Sequence, residues 1–129
     1  MRTISSQYKD DVQIIMHNYP FINASSNDLA LAGECANEQG LFWNIHDRFF
    51  QSSAPAENIL AIARQSGLNM QQFASCMENE KYADKIQEEK SLAETIVPGT
   101  PTWIINGHLI PYASEETFKQ IIDALVKNL

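Results

Sequence analysis

Apolar positions along this chain follow two different periods. Val12, Ile14, Ile15 and Met16 crowd together and stop at Tyr19-Pro20, which predicts a short buried strand over 12–18. Ahead of it, residues 2–10 read as the last turns of a helix that Asp10-Asp11 cuts short, and residues 21–26, FINASS, read as a loop ending in candidate N-caps. From Asn27 the spacing turns helical. Leu29, Ala32 and Ala36, flanked by Leu31 and Cys35, recur at i, i+3, i+4 and i+7, so a helix is expected to run to about Gln39 with Gly40 as its stop. A second helix from Leu41 carries Phe42, Trp43, Ile45, Phe49 and Phe50 as its apolar side, until SSAP breaks the chain at 52–55. Residues 56–66 predict a helix ended by Gly67, and Asn69 is placed to cap the next, which carries Met70, Phe73, Ala74 and Met77. A charged helix over roughly 79–96 is expected to turn Tyr82, Ile86, Leu92 and Ile96 inward.

The helical period fails at Val97-Pro98-Gly99-Thr100-Pro101, where two prolines and a glycine forbid it. Thr102 to Ile105 then predicts a strand, Asn106-Gly107 a type I′ turn with positive φ at both positions, and His108 to Tyr112 the antiparallel return. Ser114 is placed to cap a last helix, with Glu115 and Glu116 at its positive end and Phe118, Ile121, Ile122, Leu125 and Val126 as its apolar face. The order is helix, strand, a block of five helices, strand, strand, helix. That is an α/β pattern, without internal repeat, low-complexity tract or linker.

Composition removes several functions. The chain has 129 residues, 44% hydrophobic and 19% charged, enough for one domain with a real core. Its net charge is −7 and its nine basic residues are scattered, which argues against a nucleic-acid binder. No apolar run reaches the length of a membrane span, and the start, MRTISSQYKDD, has no apolar core of a signal peptide. The three histidines and two cysteines show no CxxC or HxxxH spacing, so no metal is expected, and there is no glycine-rich phosphate loop. His17 and His108 read as surface residues, and Glu78, Glu80, Glu88 and Glu89 as a solvated acidic face. His46 and Asp47 suggest acid–base chemistry, but neighbours on a helix project about 100° apart, so a packing helix with polar residues outward is the better reading. Cys35 and Cys76 alone fit either buried thiols in a cytosolic protein or one bridge in an exported one.

Three stretches, AGECANEQGLFWNIHDRFF (32–50), GLNMQQFASCMENEKY (67–82) and VPGTPTWIINGHLIPYASEETFKQIIDAL (97–125), resemble the DsbA-like thiol-disulfide oxidoreductases. These have a thioredoxin fold with an inserted helical block. The resemblance implies one domain over 1–129, with the helical insertion at about 27–96 and the proline loop, hairpin and C-terminal helix at 97–129. It also implies that Pro101 is cis beside the active site, where Thr100 presents its backbone to an extended substrate peptide and the helical block shapes the groove. Only an X-Pro bond makes a cis peptide cheap. On its residues alone, Pro101 reads as an ordinary trans turn proline.

The family's chemistry resides in a CxxC, whose first thiolate exchanges with a disulfide. It belongs after a first strand, at the start of the helix preceding VQIIMHN. The chain is expected to begin in the middle of that helix, lacking both strand and motif, so no catalytic residue is assigned. The first strand is central to such a sheet, and its loss would strand two rows of backbone groups. The gap is expected to be closed by pairing 12–18 directly with 102–105, by exchange with a second copy, or by an added strand.

The resemblance further implies a structural disulfide between Cys35 and Cys76, since several relatives carry cysteines at both matching positions that can form one; two buried thiols or a redox pair are the alternatives. The resemblance thus implies a disulfide oxidoreductase acting on cysteine-containing proteins or peptides without organic cofactor or metal, present here without its CxxC and expected to be inactive as it stands. The alternative is a non-catalytic thioredoxin-like module that binds peptides or a partner protein. The resemblance implies a location in the periplasm or another extracytoplasmic compartment.

Overall fold

A computed structural model of the chain describes residues 7–8, 10–20, 24–111 and 114–127. The helix expected over 2–10, the first half of FINASS and Tyr112 fall wholly or mostly outside these residues. The described elements are α1 (Ala24–Asn37), α2 (Phe42–Gln51), a 3-10 turn (Pro55–Glu57), α3 (Ile59–Gln65), α4 (Met70–Glu78), α5 (Ala83–Ile96), β1 (Thr102–Ile105), β2 (His108–Pro111) and α6 (Glu115–Val126). The fold is α/β, mostly helical, with a two-stranded sheet. It divides into two compact units, Asn18–Leu92 and the segments up to His17 and from Ala93.

In the helical unit the expected spacing on α1 turns Leu31, Ala32, Cys35 and Ala36 into the core, where they meet Ile45, Ile62, Ala63, Leu68, Phe73, Cys76 and Ile86. Gly33 lets α2 approach closely, since a Cβ there would lie 3.1 Å from Phe42 Cε2. Gly40 takes the left-handed φ of +74° after α1, and the Asn69 side chain accepts from Gln72 N–H to cap α4. Helix α1 starts earlier than expected, at Ala24, so the second half of FINASS is helical.

Polar residues pin the entry to this unit. Asn18 is buried; its side-chain amide donates to Glu34 Oε1 at 2.8 Å and its backbone N–H to Glu89 Oε2 at 2.7 Å. Lys85 Nζ donates to the other oxygen of Glu34 at 2.8 Å. Glu89 therefore belongs to a network tying α1, α5 and residue 18, whereas Glu78, Glu80 and Glu88 are solvated as expected. Four apolar expectations on the helices fail: Phe50 is 80% exposed, Leu92 63%, Ile96 49% and Trp43 37%.

In the other unit the hairpin pairs Thr102 with Pro111, Trp103 with Ile110, Ile104 with Leu109 and Ile105 with His108. Asn106 and Gly107 take φ of 48° and 87°, the double positive φ of the expected turn. Alternation puts Trp103 and Ile105 on one face, against α6, with the Trp103 and Phe118 rings 4.7 Å apart. Ile105, Phe118 and Ile122 form the centre of this core, and Tyr8 and Val12 pack against it. Ser114 caps α6 by accepting from Thr117 N–H, and the Tyr8 hydroxyl donates to Asp123 near the other end. On the opposite face the cross-strand pair Ile104 and Leu109 stays exposed.

The buried strand expected over 12–18 does not form. Strand β1 pairs with β2 alone among the described residues, so direct pairing of 12–18 with 102–105 is absent. A strand exists only through a ladder to a neighbour. Without one, this segment stays irregular and leaves Ile15 67% and Met16 49% exposed.

Candidate functional site

The site is built on the loop between α5 and β1. Val97 N–H still donates to Ala93 O at 2.8 Å, after which Pro98 and Gly99 end the helix. Gly99 is buried, whereas Thr100 and Pro101 are exposed, and the peptide bond between these two is cis. The Thr102 hydroxyl donates to Gly99 O at 2.6 Å, closing the bend across Thr100-Pro101. The exposed apex therefore leads directly into β1, which Trp103 anchors on Phe118.

The two cysteines lie in the helical unit. Cys35 on α1 and Cys76 on α4 are bonded, with S–S 2.09 Å and Cα atoms 5.8 Å apart. Cys35 is fully buried and Cys76 nearly so. Cys76 also sits in the last turn of α4, where the negative end of the helix disfavours a thiolate. No CxxC occurs among the 129 residues.

Beside Cys76 lies an open polar groove of about 540 Å³, lined by Glu38, Gln72, Ser75, Asn79 and Lys81. Glu38 is its charged centre. It accepts from Gln72 Nε2 at 2.9 Å and from the Tyr82 hydroxyl at 2.8 Å, and pairs with Lys81 at 3.1 Å. These bonds, Gln72 first, then Tyr82 and Lys81, hold its carboxyl down at about 2. The same contacts push the Lys81 ammonium and the Tyr82 phenol up. A carboxylate so fixed is a structural acceptor rather than a proton-transfer group at neutral pH.

His46 and Asp47 do meet, contrary to the expectation from helix geometry: Nδ1 lies 3.3 Å from Oδ1. Side-chain torsions recover what the projection angle separates. The imidazole sits among aromatic rings, 5.0 Å from Trp43 and 4.8 Å from Phe50. Among the described residues no group of three or more His, Cys, Asp or Glu is placed to hold a metal, and no helix is long and apolar enough to cross a membrane.

Sequence reasoning picked out Thr100, Pro101, Cys35 and Cys76. It missed Thr102, whose one signal is a hydroxyl three residues after a glycine across a proline. It also missed Glu34, hidden as a charged residue on an otherwise small, apolar helix face.

A family model described as thioredoxin matches residues 1–124. "Probable disulfide bond formation protein D" of Bacillus anthracis is 27% identical over 92% of this chain and 60% of its own length. "Na(+)/H(+) antiporter NhaA 3" of Salinispora tropica is 31% identical over 74% of this chain, which spans only 15% of that protein. In both cases the chain spans less than two thirds of the relative. Among solved structures, a thioredoxin-like oxidoreductase from Silicibacter pomeroyi DSS-3 superposes with a TM-score of 0.73 at 25% identity, covering 88% of this chain and 67% of that one.

Proposed function

Because this chain belongs to the thioredoxin family, we propose that it is the substrate-binding part of a DsbA-like disulfide-exchange system acting on cysteine-containing polypeptides. The observation that carries this reading is the exposed Thr100-Pro101 bend at the head of β1. In it Thr100 offers its backbone to an extended segment of an unfolded protein, and Pro101 sets the turn. The relative named for disulfide bond formation supports the same class of substrate. No organic cofactor or metal enters, since disulfide exchange moves electrons between sulfur atoms.

The reacting sulfurs are not Cys35 and Cys76. This pair is joined, buried and at the wrong end of a helix for a thiolate, which suits a structural bridge. A bridge of this kind fits an extracytoplasmic compartment. A second reading, a non-catalytic peptide- or protein-binding module, is favoured by the lack of any CxxC in the 129 residues. Among the described residues strand β1 pairs on one edge alone, with β2, and strand exchange with a second copy is proposed at the other; a monomer by light scattering at every concentration would exclude it.

Two measurements test the main reading. Refolding of reduced ribonuclease A in glutathione buffer is expected to show no acceleration by this chain. Unfolded, S-carbamidomethylated ribonuclease A is expected to bind it, and Pro101→Ala to weaken that binding. Turnover that disappears in Cys35→Ala or Cys76→Ala would overturn the assignment of the bridge, and absence of binding would overturn the assignment of the loop.

A further inference from the structure

We propose that Thr102 is the positioning residue of the Thr100-Pro101 bend: its hydroxyl, bonded to Gly99 O, holds Thr100 in the geometry that an extended polypeptide pairs with. This inference rests on the peptide-binding reading above and names the residue on which its precision depends.

The bend has few other means of staying fixed. Pro101 has no N–H, so it cannot donate across the turn. An ordinary β-turn is closed by the backbone N–H of its fourth residue bonding to the carbonyl of its first. Here Gly99 and Thr102 stand in those two places, and the Thr102 side chain makes the closing contact at 2.6 Å. Each end of that contact is itself anchored. Thr102 is the first residue of β1, paired with Pro111 in the ladder, and its neighbour Trp103 packs on Phe118. Gly99 is buried just beyond the Val97 bond that ends α5. The Thr102 hydroxyl thus joins two fixed points across two exposed residues. Removing it leaves the hairpin and helix in place but frees the apex between them.

The test uses the full chain as wild type, Thr102→Ser, Thr102→Val, Thr102→Ala and Pro101→Ala. The probe is fluorescein-labelled, unfolded, S-carbamidomethylated ribonuclease A, read by anisotropy. Hydrogen exchange at the Thr100 amide is followed in parallel by NMR. Thr102→Val keeps the shape and loses the donor, and is expected to weaken probe binding about fivefold and speed exchange at Thr100. Thr102→Ser restores the donor and is expected to restore both. If Thr102→Val does not fold, Thr102→Ala is read in its place.

Wild-type binding that Thr102→Val and Thr102→Ala match, or unchanged exchange at Thr100 in these variants, would overturn the inference. If wild type itself does not bind the probe, the peptide-binding reading falls, and this inference falls with it even where the exchange data show the bond to be formed.

Discussion

Glu38 shows how much a single side chain's setting depends on the fold. Its carboxyl ordinarily titrates near 4.5 and is held at about 2 by Gln72, Tyr82 and Lys81. The unfolded chain therefore takes up this proton first on acidification. The stabilisation is complete above the ordinary value and is lost as the pH falls through about 2. Glu38→Gln is expected to unfold at lower urea than wild type at neutral pH, with the difference shrinking as the pH drops below about 4.5. The effect is modest, because the groove is open to water. Urea midpoints across that range check it; a difference that does not change with pH would refute it. None of this was legible in the sequence, where Glu38 lies in the turn after α1, Gln72 on α4, and Lys81 and Tyr82 in the turn before α5. The same holds for the Thr102 hydroxyl and for Asn18, whose partners lie on α1 and α5.

At the scale of elements, legibility followed range. The turn at Asn106-Gly107 and the caps Asn69 and Ser114 are set by adjacent residues, and each stands where local chemistry puts it. A Cβ on Gly107 would meet open space, so Gly107→Ala is limited to backbone strain at φ +87° and is expected to cost roughly 1–2 kcal/mol in equilibrium denaturation. Ser114→Ala is expected to cost about 1 kcal/mol through the lost cap on α6. The segment over 12–18 has the composition of a strand but, among the described residues, not the neighbour that makes one. Its apolar residues cannot supply the ladder themselves, and only Val12 finds a core. Leu92 and Ile96 show the same limit on α5: their spacing marks a helix face, but which face is covered is decided by what packs there.

At the scale of the molecule, the helical unit has a covalent tie that the hairpin unit lacks. The bond between Cys35 and Cys76 closes a loop of 41 positions. In the chain-entropy account this stabilises by about 4 kcal/mol, so Cys35→Ala/Cys76→Ala is expected to lower the denaturation free energy by a similar amount. Reduction of wild type should give the same shift, measured as urea midpoints with and without dithiothreitol. Neither cysteine's position along the chain shows that they meet; this follows from α1 and α4 sharing the core around Phe73.

The tie also changes how the chain would break. The Ser52–Pro55 connection between α2 and the following 3-10 turn lies inside the closed loop. A protease that nicks there would release no fragment. On a gel run without reductant the cleaved protein would migrate as one species, and two bands would appear only after the sulfurs were separated, so damage to this region would go unseen wherever the surroundings stay oxidising.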